Sequence, residues 1–314
     1  MAKIRGRAIY YILLLAVVLV WGLDPVMFKY FYESYSAGVF STLSTGAAFL
    51  FFVIWAGKRL KGINLAVLKI ALPISLLRAS ANIFQRIGLQ YTTPAAYSFL
   101  ENLSCVIVPF AMLVLTRRFG RPLVWLSAAL SLFGCIILVG FNGALGFGIG
   151  EILCALAGIL GGLGGAMTGL YTKKIDIAVF MTVFMGVYFI SSLGVTLVLG
   201  FIPFGGVIVE PIVFSKSVLA LILALGSGLL SVGLCWLMET AAIRNINPAS
   251  ATVITRLSVV VTAVVSVIVG YDSISASLVL SAVVLILAAL LAGIASEREA
   301  KTELKSLIIN NKKT

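Results

Sequence analysis

The chain has 314 residues, of which 61% are hydrophobic and 11% are charged, and its formal net charge is +12. With a mean hydropathy of +1.15, this composition excludes a soluble globular protein and predicts an all-α membrane protein with several transmembrane helices. The sequence contains no histidine, and its four cysteines lack paired ligand spacing. We therefore expect no catalytic residue, no metal and no cofactor.

Apolar runs long enough to cross a bilayer follow one another along the chain. The first follows a basic start, Met1 to Arg7, and ends without a small-residue cleavage site, so we interpret it as a transmembrane helix and not as a cleaved signal peptide. The runs lie at about 9–28, 38–56, 69–90, 95–115, 123–141, 150–171, 178–200, 218–243, 248–270 and 275–295. The sequence therefore predicts ten transmembrane helices.

The basic residues between these runs lie mostly on one side of the membrane. The side opposite the N-terminus has only Lys29 and Lys216. Because basic loops stay in the cytoplasm, we expect both termini to be cytoplasmic in a cell-membrane protein, and we expect no nucleic-acid partner. The segments that face the N-terminal side carry Lys3, Arg5, Arg7, Lys58, Arg59, Lys61, Arg117, Arg118, Arg121, Lys173, Lys174 and Arg244.

An internal repeat relates the two halves of the chain at an offset of 154 residues. Pro94 and Pro248 stand at matching positions, each followed by alanine, and we expect them to begin the fourth and ninth helices as hinges. Five helices in each copy force the second copy to be inverted in the membrane. We thus predict two inverted five-helix repeats, with a site at their interface. The predicted units are residues 1–145, residues 146–296 and a charged cytoplasmic tail, 297–314.

Polar side chains inside the apolar runs are the candidates for that site. An ionisable group at membrane depth is costly unless it has a partner or a function. In the third span, several polar residues recur at helical spacing on one face. We predict a substrate-binding or ion pathway formed by Trp21, Asp24, Arg78, Asn82, Gln85, Arg86, Tyr97, Glu101, Glu239, Thr255 and Arg256.

Several of these assignments have a structural alternative; the polar groups of the third span, for example, could merely bond one another between helices. Glu101 lies at a similar depth to Arg86, so a permanent salt bridge between them competes with a role in binding. Asp24 and Glu239 can also be interpreted as helix-end charges. Trp21 forms either an aromatic wall or part of the interior packing.

Several motifs resemble the drug/metabolite transporter superfamily, EamA type. They are Val20-Trp21-Gly22 followed by Pro25, the junction from Gly88 to Ala95, Pro109, and the basic turn at Thr116-Arg117-Arg118. That turn departs from the commoner family pattern, which has an acidic residue before the arginine. The resemblance implies ten helices in two five-helix repeats and a carrier of small metabolites, amino acids among them.

Together these features favour a secondary-active transporter that works by alternating access and exports an amino acid or similar zwitterion. Arg78 and Arg256 would receive its carboxylate, while Glu101 and Asp24 would bind its amine or a proton. The alternatives are import or export of another small organic solute and, more distantly, an intramembrane enzyme or a scaffold. We expect a monomer, with the substrate, the lipid bilayer and a proton or other coupling ion as its partners.

Overall fold

The computed structural model describes residues 2–32, 35–92, 97, 100–140, 148–201, 212–213, 217–269 and 276–311. Within these ranges the chain is helical and has no strand, which confirms the all-α prediction. A 3₁₀ turn (Gly57–Gly62) follows α2, and a π-helical turn (Gly228–Leu234) joins α8 to α9. The helices are α1 (Ala2–Tyr32), α2 (Ala37–Ala56), α3 (Leu65–Tyr91), α4 (Ser104–Thr116), α5 (Pro122–Gly140), α6 (Ile149–Tyr171), α7 (Ile177–Phe201), α8 (Val218–Ser227), α9 (Cys235–Asn245), α10 (Pro248–Thr255), α11 (Ser258–Val269) and α12 (Ala276–Asn311).

The described part of the chain has eight helical stretches long and apolar enough to cross a membrane, and α4 and α5 contribute two shorter apolar helices. Large apolar side chains point outward on several of these helices; Ile54 is 80% exposed and Val114 is 74% exposed. Such side chains are compatible with a lipid environment. The fold is therefore that of a membrane protein with about ten spanning helices, as the sequence predicts.

Helix pairing brings distant parts of the chain together. Helix α3 packs on α6, α2 on α7, α5 on α12, and α1 on α11. Glycine allows the closest approaches: a Cβ on Gly158 of α6 would lie 2.5 Å from the carbonyl oxygen of Leu100. These contacts leave a cavity between the helices that carry the polar residues.

Helix α10 begins where the sequence predicts the start of the ninth span. Asn247 caps it by accepting hydrogen bonds from the backbone N–H groups of Ala249 (3.0 Å) and Ser250 (3.2 Å). Pro248 lies in the first turn, where its missing N–H costs no helical hydrogen bond. Its matching residue, Pro94, lies outside the described residues, so the pair of hinges stays a prediction.

The fourth span is interrupted just before α4, at Asn102 and Leu103. The Leu103 N–H donates to the Leu100 carbonyl (3.2 Å) and the Cys105 N–H donates to the Asn102 carbonyl (2.9 Å), so these bonds reach three residues back instead of four. Such 3₁₀ geometry within a long helix often marks a functional hinge.

The ninth span is interrupted at Arg256 and Leu257, between α10 and α11. The Leu257 N–H donates to the Ile254 carbonyl (3.1 Å) and the Val259 N–H donates to the Arg256 carbonyl (3.1 Å). Each donor and acceptor stands 154 residues beyond its counterpart in the fourth span. The same local irregularity therefore occurs at matching places in the two halves of the chain.

Candidate functional site

A cavity lies between α1, α3, α6, the α8–α9 span and the interrupted fourth and ninth spans. The space open to the centres of water molecules is about 110 Å³. Because one water needs roughly 10–15 Å³ on this measure, the cavity has room for several waters or a small solute. The predicted site residues that line it are Trp21, Asp24, Arg78, Asn82, Gln85, Arg86, Tyr97, Glu101, Glu239 and Arg256.

Thr255 is the predicted site residue that does not line this cavity. Its side chain is buried, and its hydroxyl donates to the backbone carbonyl of Thr252 at 2.8 Å. Thr252, one turn earlier on α10, lines the cavity instead. The helix orientation about its own axis therefore separates these two threonines.

One ion pair in the cavity wall joins Arg78 of α3 to Glu239 of α9. The side chains are 3% and 8% exposed, respectively. The Arg78 Nη1 also donates to Thr168 Oγ1 (3.3 Å), and the guanidinium lies over the Trp236 ring at 4.1 Å from its centroid. The Phe184 ring lies nearby at 5.6 Å. These contacts hold the Arg78 side chain in one place.

A second ion pair joins Glu101, at the interruption of the fourth span, to Arg256, at the interruption of the ninth. It is more open than the first pair, because 26% of the Glu101 side chain and 9% of the Arg256 side chain are exposed. Arg256 Nε and Ser104 Oγ are buried without a hydrogen-bond partner among the described residues. Both residues line the cavity, although these two atoms are themselves buried.

The pairing of Glu101 with Arg86, which the sequence suggests as an alternative, is not the arrangement in the structure. The Arg86 guanidinium lies over the rings of Phe28 (5.1 Å) and Phe40 (5.6 Å), and its Nη1 donates to Ser44 Oγ at 3.4 Å. The partner of Glu101 comes from the other half of the chain because the two interrupted spans meet across the cavity.

Asp24 accepts a hydrogen bond from the hydroxyl of Ser231, which lies in the π-helical turn. The carbonyl oxygen of Ser231 accepts a second bond from Trp21 Nε1 at 3.2 Å. Trp21 and Asp24 are one helical turn apart on α1, so one serine bonds both. This contact connects the first half of the chain to the second.

Polar and aromatic contacts complete the lining. Asn82 Nδ2 donates to the Arg78 carbonyl (2.8 Å), and Gln85 Nε2 donates to the Tyr97 hydroxyl. The Trp21 and Trp236 rings are 5.6 Å apart and form an aromatic wall. Trp21 therefore faces the cavity and also packs against its neighbours.

Sequence reasoning missed several lining residues. The signal for Trp236 was present: Trp236 precedes Glu239 by three positions, as Trp21 precedes Asp24. Nothing in the local sequence distinguished Ser231 from other membrane serines, since its place depends on the π-helical turn. The missed residues with polar or aromatic side chains are Ser231, Trp236, Ser258 and Thr262, together with Phe28.

The charges that line the cavity balance. Three arginines (Arg78, Arg86 and Arg256) face three carboxylates (Asp24, Glu101 and Glu239), so their formal sum is zero. A site with equal numbers of both signs suits a ligand that carries both charges, because binding it leaves no net charge in the membrane. No group of three or more potential metal-ligating side chains occurs in the described ranges.

Comparisons with known proteins agree with this architecture. Residues 8–140 match the model of the EamA-like transporter family. One solved crystal structure superposes on 92% of this chain and 98% of its own chain with a TM-score of 0.72, at 14% sequence identity. A likeness at that identity establishes a shared fold only. No curated protein matches the sequence.

Proposed function

We propose that this chain, whose residues 8–140 match the model of the EamA-like transporter family, belongs to the drug/metabolite transporter superfamily and is a secondary-active carrier of an amino acid or a similar small zwitterion. Transport of small solutes across a membrane is the general activity of the family. The substrate, the direction and the mechanism are our proposal. We propose export, by alternating access, from a cell with both termini in its cytoplasm.

The observation that carries the proposal is the Glu101–Arg256 ion pair in the cavity wall. A zwitterion has the same two charges as this pair. It can therefore insert between the two side chains, with its ammonium group on Glu101 and its carboxylate on Arg256. Each protein charge then exchanges one partner for another, and neither is left unpaired at membrane depth.

The neighbouring groups support this geometry. A substrate carboxylate would accept hydrogen bonds from the Arg256 guanidinium, which lines the cavity. The aromatic wall of Trp21 and Trp236 supplies an apolar surface for the rest of the solute. An amphipathic zwitterion fits this combination better than a wholly polar one.

The role that the sequence suggested for Arg78 changes in this proposal. Its guanidinium already contacts Glu239, Thr168 and two aromatic rings. Releasing it to bind a carboxylate would leave Glu239 buried without its partner. We therefore propose Arg256 as the carboxylate receptor and Arg78 as a fixed part of the wall.

Alternating access would use the interface between the proposed repeats, residues 1–145 and 146–296. Both ion pairs and the Asp24–Ser231 bond connect one repeat to the other. The interruptions at Asn102 and Arg256 lie beside the Glu101–Arg256 pair. Substrate binding to this pair would thereby act directly on the two places where the spanning helices bend most easily. The proposed functional unit is a monomer.

The test is counterflow transport in proteoliposomes with a tritium-labelled mixture of the common amino acids. Wild-type protein should exchange label, and Glu101→Gln and Arg256→Gln should each lower exchange at least about tenfold, a loss of roughly 1.4 kcal/mol in binding or more. Glu297→Gln is the matched control, because Glu297 is on α12 and bonds Tyr11 (3.2 Å) away from the cavity. Exchange that is restored in the double variant Glu101→Gln, Arg256→Gln would make the pair structural and refute the proposal.

A further inference from the structure

We infer that Asp24 carries a coupling proton, a role that rests on the proposed transport function. The cavity has three carboxylates, and two of them, Glu101 and Glu239, form ion pairs with arginines. The described contact of Asp24 is of another kind, because it accepts a hydrogen bond from the Ser231 hydroxyl. A hydroxyl can donate to a carboxylate and can also accept from a carboxylic acid, so Ser231 can bond Asp24 in either protonation state.

Charged groups of both signs act on Asp24. The Arg86 guanidinium of α3 attracts the ionised carboxylate of Asp24, and the Glu101 carboxylate repels it. The π-helical turn and α2 have no titratable side chain, as their sequences show. The other titratable groups that act on Asp24 or line the same cavity are Cys235 and Glu239 of α9, Tyr188 of α7, Arg78 of α3, Tyr97, and Arg256 between α10 and α11.

Asp24 lies where its carboxylate can exchange a proton with water in the cavity. Asp24 lines the main cavity and its residue is partly exposed, whereas Glu239 is buried. It lies on α1 near the end opposite the basic N-terminus, in the same part of the cavity as Arg86. In this proposal a proton moves between water in the cavity and a carboxylate oxygen of Asp24. The transfer requires no redox step.

The same bond links protonation to the contact between the two halves of the chain. An ionised carboxylate makes a charge-assisted hydrogen bond to Ser231, which is roughly twice as strong as a neutral one. Proton binding weakens this bond and so loosens α1 from the π-helical turn. Proton release restores the bond and holds the two elements together. The Asp24–Ser231 hydrogen bond is thus a proton-sensitive contact between α1 and the π-helical turn, next to the proposed substrate site.

A pH titration of tryptophan fluorescence tests this proposal independently of transport. Trp21 bonds the same serine as Asp24, so the wild-type protein in detergent should show a pH-dependent fluorescence transition. Asp24→Asn should abolish that transition, and Trp21→Phe should remove its signal while Trp236 is retained. A transition of unchanged size and midpoint in Asp24→Asn would overturn the proposal.

Proteoliposome transport supplies the second test. With an imposed pH gradient, wild-type protein should accumulate the labelled amino acid mixture several-fold, and Asp24→Asn should lose this accumulation. Ser231→Ala, which retains the carboxylate, should keep gradient-driven accumulation with an altered pH dependence. Gradient-driven accumulation by Asp24→Asn would refute the proton role, whereas wild-type protein that fails in counterflow would refute the proposed function and leave the fluorescence result to decide on Asp24.

Discussion

The two ion pairs of the cavity have the same chemistry and different surroundings. Arg78 and Glu239 are 3% and 8% exposed and are enclosed by Thr168 and aromatic rings. Arg256 is about as buried, at 9%, but 26% of the Glu101 side chain is exposed to the cavity that both pairs line. An enclosed pair can exchange its partner only if the surrounding packing is disrupted, whereas an open pair can accept a ligand. Under the proposed function, the exposure of Glu101 separates the binding pair from the structural pair, which residue type alone does not do.

The largest effect should follow from breaking the enclosed pair. Arg78→Gln leaves the Glu239 carboxylate buried without its cation, and losing one partner of a buried pair costs about 3–5 kcal/mol. We expect a large drop in folded yield and in the thermal unfolding midpoint in detergent. Arg78→Leu with Glu239→Leu should recover most of that stability, because both charges are removed together. If the double variant is no more stable than Arg78→Gln, the pair is not the cause of the loss.

Breaking the Glu101–Arg256 pair should lower substrate exchange strongly and thermal stability only modestly. Glu101→Gln should lower substrate exchange at least about tenfold, since it removes the proposed ammonium receptor. Its effect on the unfolding midpoint should be less than half that of Arg78→Gln, because cavity water can solvate the remaining Arg256. Both quantities are measured on the same purified protein. Equal destabilisation by the two variants would erase the distinction drawn from burial.

Packing around the interrupted fourth span should have an intermediate effect. A Cβ on Gly158 would lie 2.5 Å from the Leu100 carbonyl oxygen, so Gly158→Ala forces α6 away from the helix interruption. Overpacking of this kind typically costs about 1–3 kcal/mol. Gly194→Ala on α7 is the matched control, because nothing lies within 4 Å of the added carbon. We expect the control to be neutral or slightly more stable in thermal unfolding, given the higher helix propensity of alanine.

The smallest effect should come from the aromatic wall. Trp21→Phe keeps an aromatic ring but removes the 3.2 Å hydrogen bond to the Ser231 carbonyl. One such bond contributes about 1 kcal/mol. Thermal unfolding should fall slightly, and exchange of the labelled amino acids should remain within a few-fold of wild type. Trp236 is the partner ring of Trp21 and also packs against the Arg78 guanidinium, so Trp236→Phe should lower the unfolding midpoint more than Trp21→Phe does.

The sequence was most informative where the membrane imposes a simple physical requirement. Helix lengths follow from bilayer thickness, so the apolar runs predicted the spanning helices closely. The same requirement identified Asp24 and Arg78, because a charge at membrane depth must be compensated. The cavity brings together most of the polar residues selected on this basis.

Contacts between distant helices were the part that sequence reasoning could not supply. Glu101 and Arg86 matched in depth along adjacent spans, yet Glu101 pairs with Arg256, more than a hundred residues further along the chain. Depth fixes one coordinate of a side chain, whereas pairing also depends on the rotation and position of each helix. Glu239 illustrates the same limit: a helix-end charge was an open alternative, and the residue is instead buried in an ion pair.

The matching interruptions of the fourth and ninth spans also bear on how such a chain could have arisen. The backbone irregularity is alike at Asn102–Leu103 and at Arg256–Leu257, but the side chains have diverged, since threonine at 255 stands opposite Glu101 and asparagine at 102 opposite Arg256. In a dimer of identical five-helix subunits, equivalent positions would carry identical charges on both sides of the cavity. Covalent fusion of the halves removes that constraint, so at this pair of positions the first half can supply the anion and the second half the cation.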